Sequence, residues 1–238
     1  MCIRDSIKTH FRQQAEATMS IRVSVFLYGD DIMQKHNLQI FPTLVTRYKD
    51  FITPEQANAI AELCRNSDHT RHDAWIGDAT SSHHLTKNFI DTIEEKIDIC
   101  KGLKNDITFM VNLYAKEYGY HKDMYIFNSW FNIQHNNSVL KMHTHPGSIF
   151  SAAFFIGVDD DSSKLVFDNP NTNLFYLNAA LDGSVDTGLD SYAYQAFIFK
   201  PSPGDLVLFP SWLKHGSQEE INQSSERISI SFNTKFVP

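Results

Sequence analysis

From Leu38 onward apolar and polar residues follow readable periods. Leu38–Tyr48 is rich in apolar and β-branched residues and predicts a strand. Thr53-Pro54-Glu55-Gln56 follows, a capping box with proline at the first helical position. The helix it opens carries Ala57, Ile60, Ala61 and Cys64 on one face. A polar loop with His69, His72, His83 and His84 comes next; a surface position is expected for it, with a lid over an active site as the alternative. Phe89, Ile93, Ile97 and Cys100 recur at helical spacing and predict a second amphipathic helix. Ile107, Met110, Val111 and Tyr114 mark a third, from about Asp106 to Tyr118.

After Tyr120 the pattern shortens to strands. Tyr125–Ile133, Ile149–Val158, Lys164–Phe167, Gln195–Lys200, Asp205–Phe209 and Arg227–Asn233 all qualify. Asp159-Asp160-Asp161, Asn169-Pro170-Asn171 and Pro203-Gly204-Asp205 punctuate them as turns. Helices first and strands afterwards predict an α+β fold, a β-sandwich or barrel with the N-terminal helices packed on one sheet. Residues 1–37 show no sustained period. They are read as an N-terminal extension, either a flexible terminus or translated adapter sequence at the end of a gene call, with Met19 or Met33 as alternative starts. That leaves 38–238 as the folded domain.

The length of 238 residues fits one domain plus an appendage. Apolar residues at 42% and charged residues at 21% exclude collagen-like and low-complexity chains, and 18 phenylalanines can fill a sizeable core. A net charge of −7 argues against a nucleic-acid partner. No apolar run reaches the roughly 18 residues of a membrane span, so no membrane partner is expected. Cys2, Cys64 and Cys100 form no CxxC pair, which suits a reducing compartment. The best signal-peptide core, Ile21–Tyr28, is interrupted by Arg22 and Ser24, so a cytoplasmic location is expected.

Candidate chemistry begins at His143-Thr144-His145, ahead of an apolar strand. Residues two apart in a strand point to one side, so the two imidazoles can grip one ion. His215, beyond Asp205–Phe209 and Pro210-Ser211-Trp212, is the best third ligand. An H-x-H pair alone is as readily a pair of solvated strand-end residues. The last strand alternates strictly: Ile228, Ile230 and Phe232 on one face, Arg227, Ser229, Ser231 and Asn233 on the other. The polar face meets either water or a polar cavity. Arg227 can bind a carboxylate bidentately, with Ser229 adding a hydrogen bond, or it can pair with Glu219 or Glu220 at the surface. Trp130 reads as core or cavity wall. Asn132 and Asn128 share its side of the strand, and Asn132 can face a cavity or contact substrate.

The chain from about Leu38 to Phe236 resembles the iron(II)/2-oxoglutarate oxygenases of the double-stranded β-helix, or jelly-roll, class, in particular a bacterial and phage-type subgroup. The resemblance is carried by Phe41-Pro42-Thr43, Trp130-Phe131-Asn132, His143-Thr144-His145-Pro146 with Ser148 and Ser151, and Phe167-Asp168-Asn169-Pro170. Pro203 to Leu213 with His215, and Arg227 to Asn233, complete it. It implies iron(II) bound by His143, His145 and His215, with 2-oxoglutarate held at its far carboxylate by Arg227 and Ser229. No catalytic side chain is implied beyond the metal site. The implied reaction is oxidative decarboxylation of 2-oxoglutarate to succinate and carbon dioxide, coupled to hydroxylation of a substrate.

One position departs from the family pattern. His145 stands where the class carries Asp or Glu. Either His145 replaces the carboxylate, or it is a non-binding neighbour, or Asp168 supplies the carboxylate. Two other functions compete: a three-histidine iron dioxygenase of the cupin-like kind that needs no 2-oxoglutarate, and a non-catalytic jelly-roll binding module. The substrate, a small molecule or a protein side chain, is not legible, nor is the oligomeric state. The polar stretch 171–195 is expected to cover the substrate.

Overall fold

The structure, a computed structural model, describes residues 21–28, 31–38, 41–173, 195–218 and 220–238. The chain divides into two compact units, Met1–Thr43 and Leu44–Pro238. In the first, β1 (Ile21–Tyr28) pairs antiparallel with β2 (Asp31–Leu38), from Ile21 opposite Leu38 to Tyr28 opposite Asp31. The absence of a sustained sequence period before Leu38 did not foretell this hairpin.

The second unit opens with β3 (Thr46–Tyr48), much shorter than the strand expected over Leu38–Tyr48. Pro42 has no N–H for a ladder, and Phe41 turns the backbone to φ +58°. Helix α1 (Pro54–Arg65) starts as the capping box requires. Thr53 Oγ1 accepts from the Gln56 amide at 3.2 Å, and Gln56 Oε1 accepts from the Thr53 amide at 2.9 Å. The stretch expected to be a loop forms three short strands, β4 (Thr70–Arg71), β5 (Trp75–Ile76) and β6 (Ala79–Ser81). Helix α2 (Phe89–Lys96) stops short of the expected span, because Ile97 is extended at its C-cap and a 3-10 turn then carries Cys100 into the core. Helix α3 (Leu103–Glu117) begins earlier than expected.

The remaining strands are β7 (Met124–Gln134), β8 (Val139–Leu140), β9 (Phe150–Gly157), β10 (Leu165–Asp168), β11 (Ala196–Phe199), β12 (Leu206–Pro210), β13 (His215–Gly216) and β14 (Arg227–Phe236). All six strands expected after Tyr120 form within two or three residues of the predicted bounds. Residues 174–194, most of the stretch expected to cover the substrate, lie outside the described residues.

Two antiparallel sheets make the jelly roll. The larger runs β3-β12-β9-β14-β7-β6-β4 and the smaller β11-β10-β13. The helices pack on β7 and β9 of the larger sheet, as the helix-then-strand order predicts. Alternation along the strands sorts the residues into two layers. Ile228, Ile230 and Phe232 of β14, Phe154 and Ile156 of β9, and Leu206 and Leu208 of β12 join the helix faces in the main core. Phe155, Leu165, Phe167, Val207, Phe209 and Leu213 form a second apolar cluster that joins residues of the two sheets.

In β7 the alternation changes phase. Asn233 pairs with Asn128 but Thr234 with Ile126, so Phe127 is the extra residue of a β-bulge. Met124 and Ile126 therefore belong to the main core, while Asn128, Trp130 and Asn132 turn to the other face and line a cavity. The bulge is what lets one long strand serve both the core and the site.

Phe154 is fully buried at the centre of this sheet, and its ring meets Phe51 edge-on at 5.9 Å. Phe154→Ala should lower the unfolding free energy by about 3–5 kcal/mol in urea titration. The exposed Phe109 of α3 gives the control: Phe109→Ala should change it by no more than about 0.5 kcal/mol.

Candidate metal and co-substrate site

The polar face of β14 does not meet bulk water. Arg227, Ser229, Ser231 and Asn233 line a cavity of about 410 Å³. Trp130, Asn128 and Asn132 of β7 share its wall, and His143, His145 and His215 lie in it. Asn132 donates to Ser231 Oγ at 3.3 Å. Trp130 lies nearly parallel to the His145 ring at 5.9 Å. No aspartate or glutamate lines the cavity among the described residues.

The three histidines converge because the backbone brings them together. His143 and His215 form an antiparallel bridge, with N–H···O bonds of 2.8 and 3.0 Å in the two directions. The His145 amide donates to the Ser211 carbonyl at 2.9 Å. Ser211 Oγ is 2.7 Å from Ser151 Oγ, which donates to Asn233 Oδ1 at 2.6 Å. A buried polar chain thus ties the His145 segment to β9 and β14. Gly216 makes the approach possible: a Cβ there would sit 2.8 Å from the Leu140 carbonyl oxygen and 2.9 Å from that of Lys141.

The ring nitrogens are arranged for one ion. The candidate ligand atoms of His143, His145 and His215 all lie within 4.8 Å of one another. Each outer imidazole is held from behind at 2.8 Å, His143 Nδ1 by the Lys141 carbonyl and His215 Nδ1 by the Leu213 carbonyl. A carbonyl can only accept, so both Nδ1 atoms carry the proton and both Nε2 lone pairs are free to ligate. His145 Nε2 is 3.3 Å from His215 Nε2. Burial, then mutual repulsion, keeps the rings neutral: His215 falls well below the ordinary imidazole range and His145 is pushed down to about 3. Burial also lowers His143. Neutral imidazoles are the ligand form, so the set fits a divalent first-row metal.

Asp168, the alternative carboxylate, is engaged elsewhere. It pairs with Lys214 at 2.8 Å and accepts from Gln218 at 3.2 Å, and it is absent from the histidine group.

Arg227 is 5% exposed, yet no carboxylate pairs with it among the described residues. Its Nη1 donates to Gln134 Oε1, and its guanidinium lies over the Phe155 ring at 5.1 Å. Its Nε and the Gln134 Nε2 are buried with no hydrogen-bond partner. The surface pairing is not made: Glu220 pairs instead with Lys164, and Glu219 lies outside the described residues. Burial lowers the guanidinium only to about 10, so it stays charged at neutral pH. A fixed buried cation with spare donors fits an incoming carboxylate. Ser229, two residues along the same face, also lines the cavity.

Two features escaped the sequence. Gln134 orients Arg227 as its direct cross-strand partner, a pairing that only the β7–β14 register reveals. His72 and His83, expected at the surface, line the cavity, whereas His69 and His84 are exposed.

Fold and site together define a jelly-roll protein whose cavity gathers three neutral imidazoles and a buried guanidinium. Residues 128–233 match the family model described as "Putative 2OG-Fe(II) oxygenase". Solved structures share the fold at low identity. An oxidoreductase of the 2OG-Fe(II) oxygenase family from Burkholderia pseudomallei is 12% identical, with a TM-score of 0.57 over 80% of this chain and 85% of that one. HygX from Streptomyces hygroscopicus, with nickel and 2-oxoglutarate bound, is 9% identical, with a TM-score of 0.54 over 82% and 84%. A Pseudomonas putida prolyl-4-hydroxylase is 12% identical, with a TM-score of 0.53 over 82% and 94%. No curated protein matches the sequence.

The neutral imidazoles set a pH dependence. Unfolded, they titrate near 6.5; folded, burial resists their protonation, so the unfolded chain binds more protons in acid. Stability of the metal-free protein should therefore fall as pH drops below about 6.5. His145→Leu should flatten the profile, read from urea midpoints between pH 7.5 and 5.

Proposed function

We propose that the unit from Leu44 to Pro238 is an iron(II)/2-oxoglutarate-dependent dioxygenase: it consumes dioxygen, places one oxygen atom on its substrate as a hydroxyl and the other in succinate, and releases carbon dioxide. In this reading His143, His145 and His215 hold the iron, and Arg227 with Ser229 holds the far carboxylate of 2-oxoglutarate. The observation that carries it is Arg227: a buried cation with no counter-ion among the described residues, with unpartnered donors, on the wall that also presents three neutral imidazoles. A protein that left this charge uncompensated throughout its working cycle would keep the desolvation penalty without the attraction that offsets it.

Bound iron(II) and 2-oxoglutarate would activate dioxygen, the oxidant; the chain supplies placement, charge and shelter. Gln134 and Phe155 hold the guanidinium in one orientation, so little freedom is lost when a carboxylate docks. The Lys141 and Leu213 carbonyls keep the Nε2 atoms of His143 and His215 unprotonated. His145 in place of a carboxylate leaves the centre one charge more positive, and the two carboxylates of the co-substrate oppose that excess. Trp130 and Asn132 form the wall on which a substrate lies, with Asn132 offering an amide. The Arg227 seat favours this reading over a three-histidine dioxygenase that needs no 2-oxoglutarate.

A small molecule or a peptide side chain is the proposed substrate class. HygX has been crystallised with hygromycin B, and a Trichoplax adhaerens prolyl hydroxylase with a peptide fragment. A cytoplasmic location is part of the same reading, supported by the free thiols of Cys64 and Cys100. No helix among the described residues is long and apolar enough to cross a membrane.

Anaerobic addition of iron(II) and then 2-oxoglutarate should produce a weak visible charge-transfer band that requires both. Arg227→Ala should raise the 2-oxoglutarate dissociation constant at least about 30-fold, corresponding to about 2 kcal/mol for a buried charge pair, and Arg227→Lys should recover only part. Iron binding with no spectral response to 2-oxoglutarate would move the three-histidine dioxygenase ahead.

A further inference from the structure

We propose a second metal site, formed by His72, His83 and His84, for an imidazole-preferring dication such as zinc(II), cobalt(II) or nickel(II). The candidate ligand atoms of these residues lie within 4.8 Å of one another. Their rings are mutually close, at 5.1 Å for His72 and His83, 4.8 Å for His72 and His84, and 4.7 Å for His83 and His84. None of the three belongs to the iron-binding set, so the inference stands whether or not that reading does.

Independent observations point to a ligand. His83 Nδ1 is buried with no protein hydrogen-bond partner among the described residues. The backbone around it is anchored: the His83 amide donates to Ser81 Oγ at 3.2 Å, and the Ser82 amide to the Phe131 carbonyl at 3.0 Å. The ring abuts Trp130 edge-on at 4.5 Å. His72 is anchored too, its carbonyl accepting from the Trp75 amide at 3.1 Å. One contact competes: His72 Nδ1 accepts from the Ala74 amide at 3.1 Å, and coordination through His72 must displace it.

Imidazole-only sites suit zinc, copper, nickel, cobalt and iron. Ligand distances of about 2.0–2.1 Å require nitrogens about 3.3 Å apart, so the rings must close by at most about 1.5 Å. The exposed His84 ring has the freedom to do most of this. His72 and His83 line the cavity while His84 faces solvent, so the ion would bridge cavity wall and surface. Three ligands leave a coordination position for water or a donor atom of the substrate. Occupancy would clamp the residue 72 and 83–84 segments together beside Trp130.

The test is anaerobic titration of the untagged, metal-free full chain with cobalt(II), followed by calorimetry and visible absorbance. Two equivalents should bind. His83→Ala/His84→Ala should bind one, and that one should still respond to 2-oxoglutarate. His143→Ala/His215→Ala should retain the other. His84→Ala alone, at an exposed position that leaves folding intact, should weaken one equivalent at least tenfold. A single equivalent in the wild type, or two undiminished equivalents in the His84 variants, overturns the second site. Loss of one equivalent in those variants, with the survivor silent to 2-oxoglutarate, upholds the second site and removes the iron/2-oxoglutarate reading.

Discussion

A buried guanidinium that no carboxylate meets among the described residues organises this molecule. Arg227 sits at the start of β14, and its charge dictates what the opposite face of that strand can be. The helix side takes Ile228, Ile230 and Phe232 into a dry core, while the inner side is polar and lines the cavity. Ser229, Ser231 and Asn233 continue that polar stripe. The bulge at Phe127 then turns Asn128, Trp130 and Asn132 toward the same cavity. A one-residue change of register in either strand would send the cation into the apolar layer beneath the helices.

The histidine centre meets the same constraint from the other side. His143 and His215 are opposite partners in a backbone bridge, so the histidine group is fixed by the contact that brings β13 against the chain ahead of β9. Without a carboxylate ligand the centre depends on neutral imidazoles, and burial provides them. The cost is a folded state that resists protonation and loses stability in acid. The cavity thus carries only positive or neutral groups among the described residues, a setting that favours an anionic ligand.

Much of this was legible in the sequence because it rests on local pattern. The strict alternation from Arg227 to Asn233, the H-x-H spacing and the capping box at Thr53 are short-range signals, and each reappears as geometry. What escaped was set by long-range pairing. Gln134 is ordinary in sequence and becomes the orienting partner of Arg227 only through the β7–β14 register. The histidines at 72 and 83 read as loop residues because β4, β5 and β6 are two or three residues long, too short to impose a period. The strand expected over Leu38–Tyr48 shrank to Thr46–Tyr48 because composition outvoted Pro42.

The central claim is that three imidazoles and one guanidinium receive iron and 2-oxoglutarate together. The most direct measurement is a crystal structure grown anaerobically with iron(II) and 2-oxoglutarate. The account predicts iron bound by the Nε2 atoms of His143 and His215 and by the His145 ring, with the far carboxylate of 2-oxoglutarate on Arg227. A carboxylate side chain in the place of His145, or a co-substrate whose far end lies away from Arg227, would contradict it.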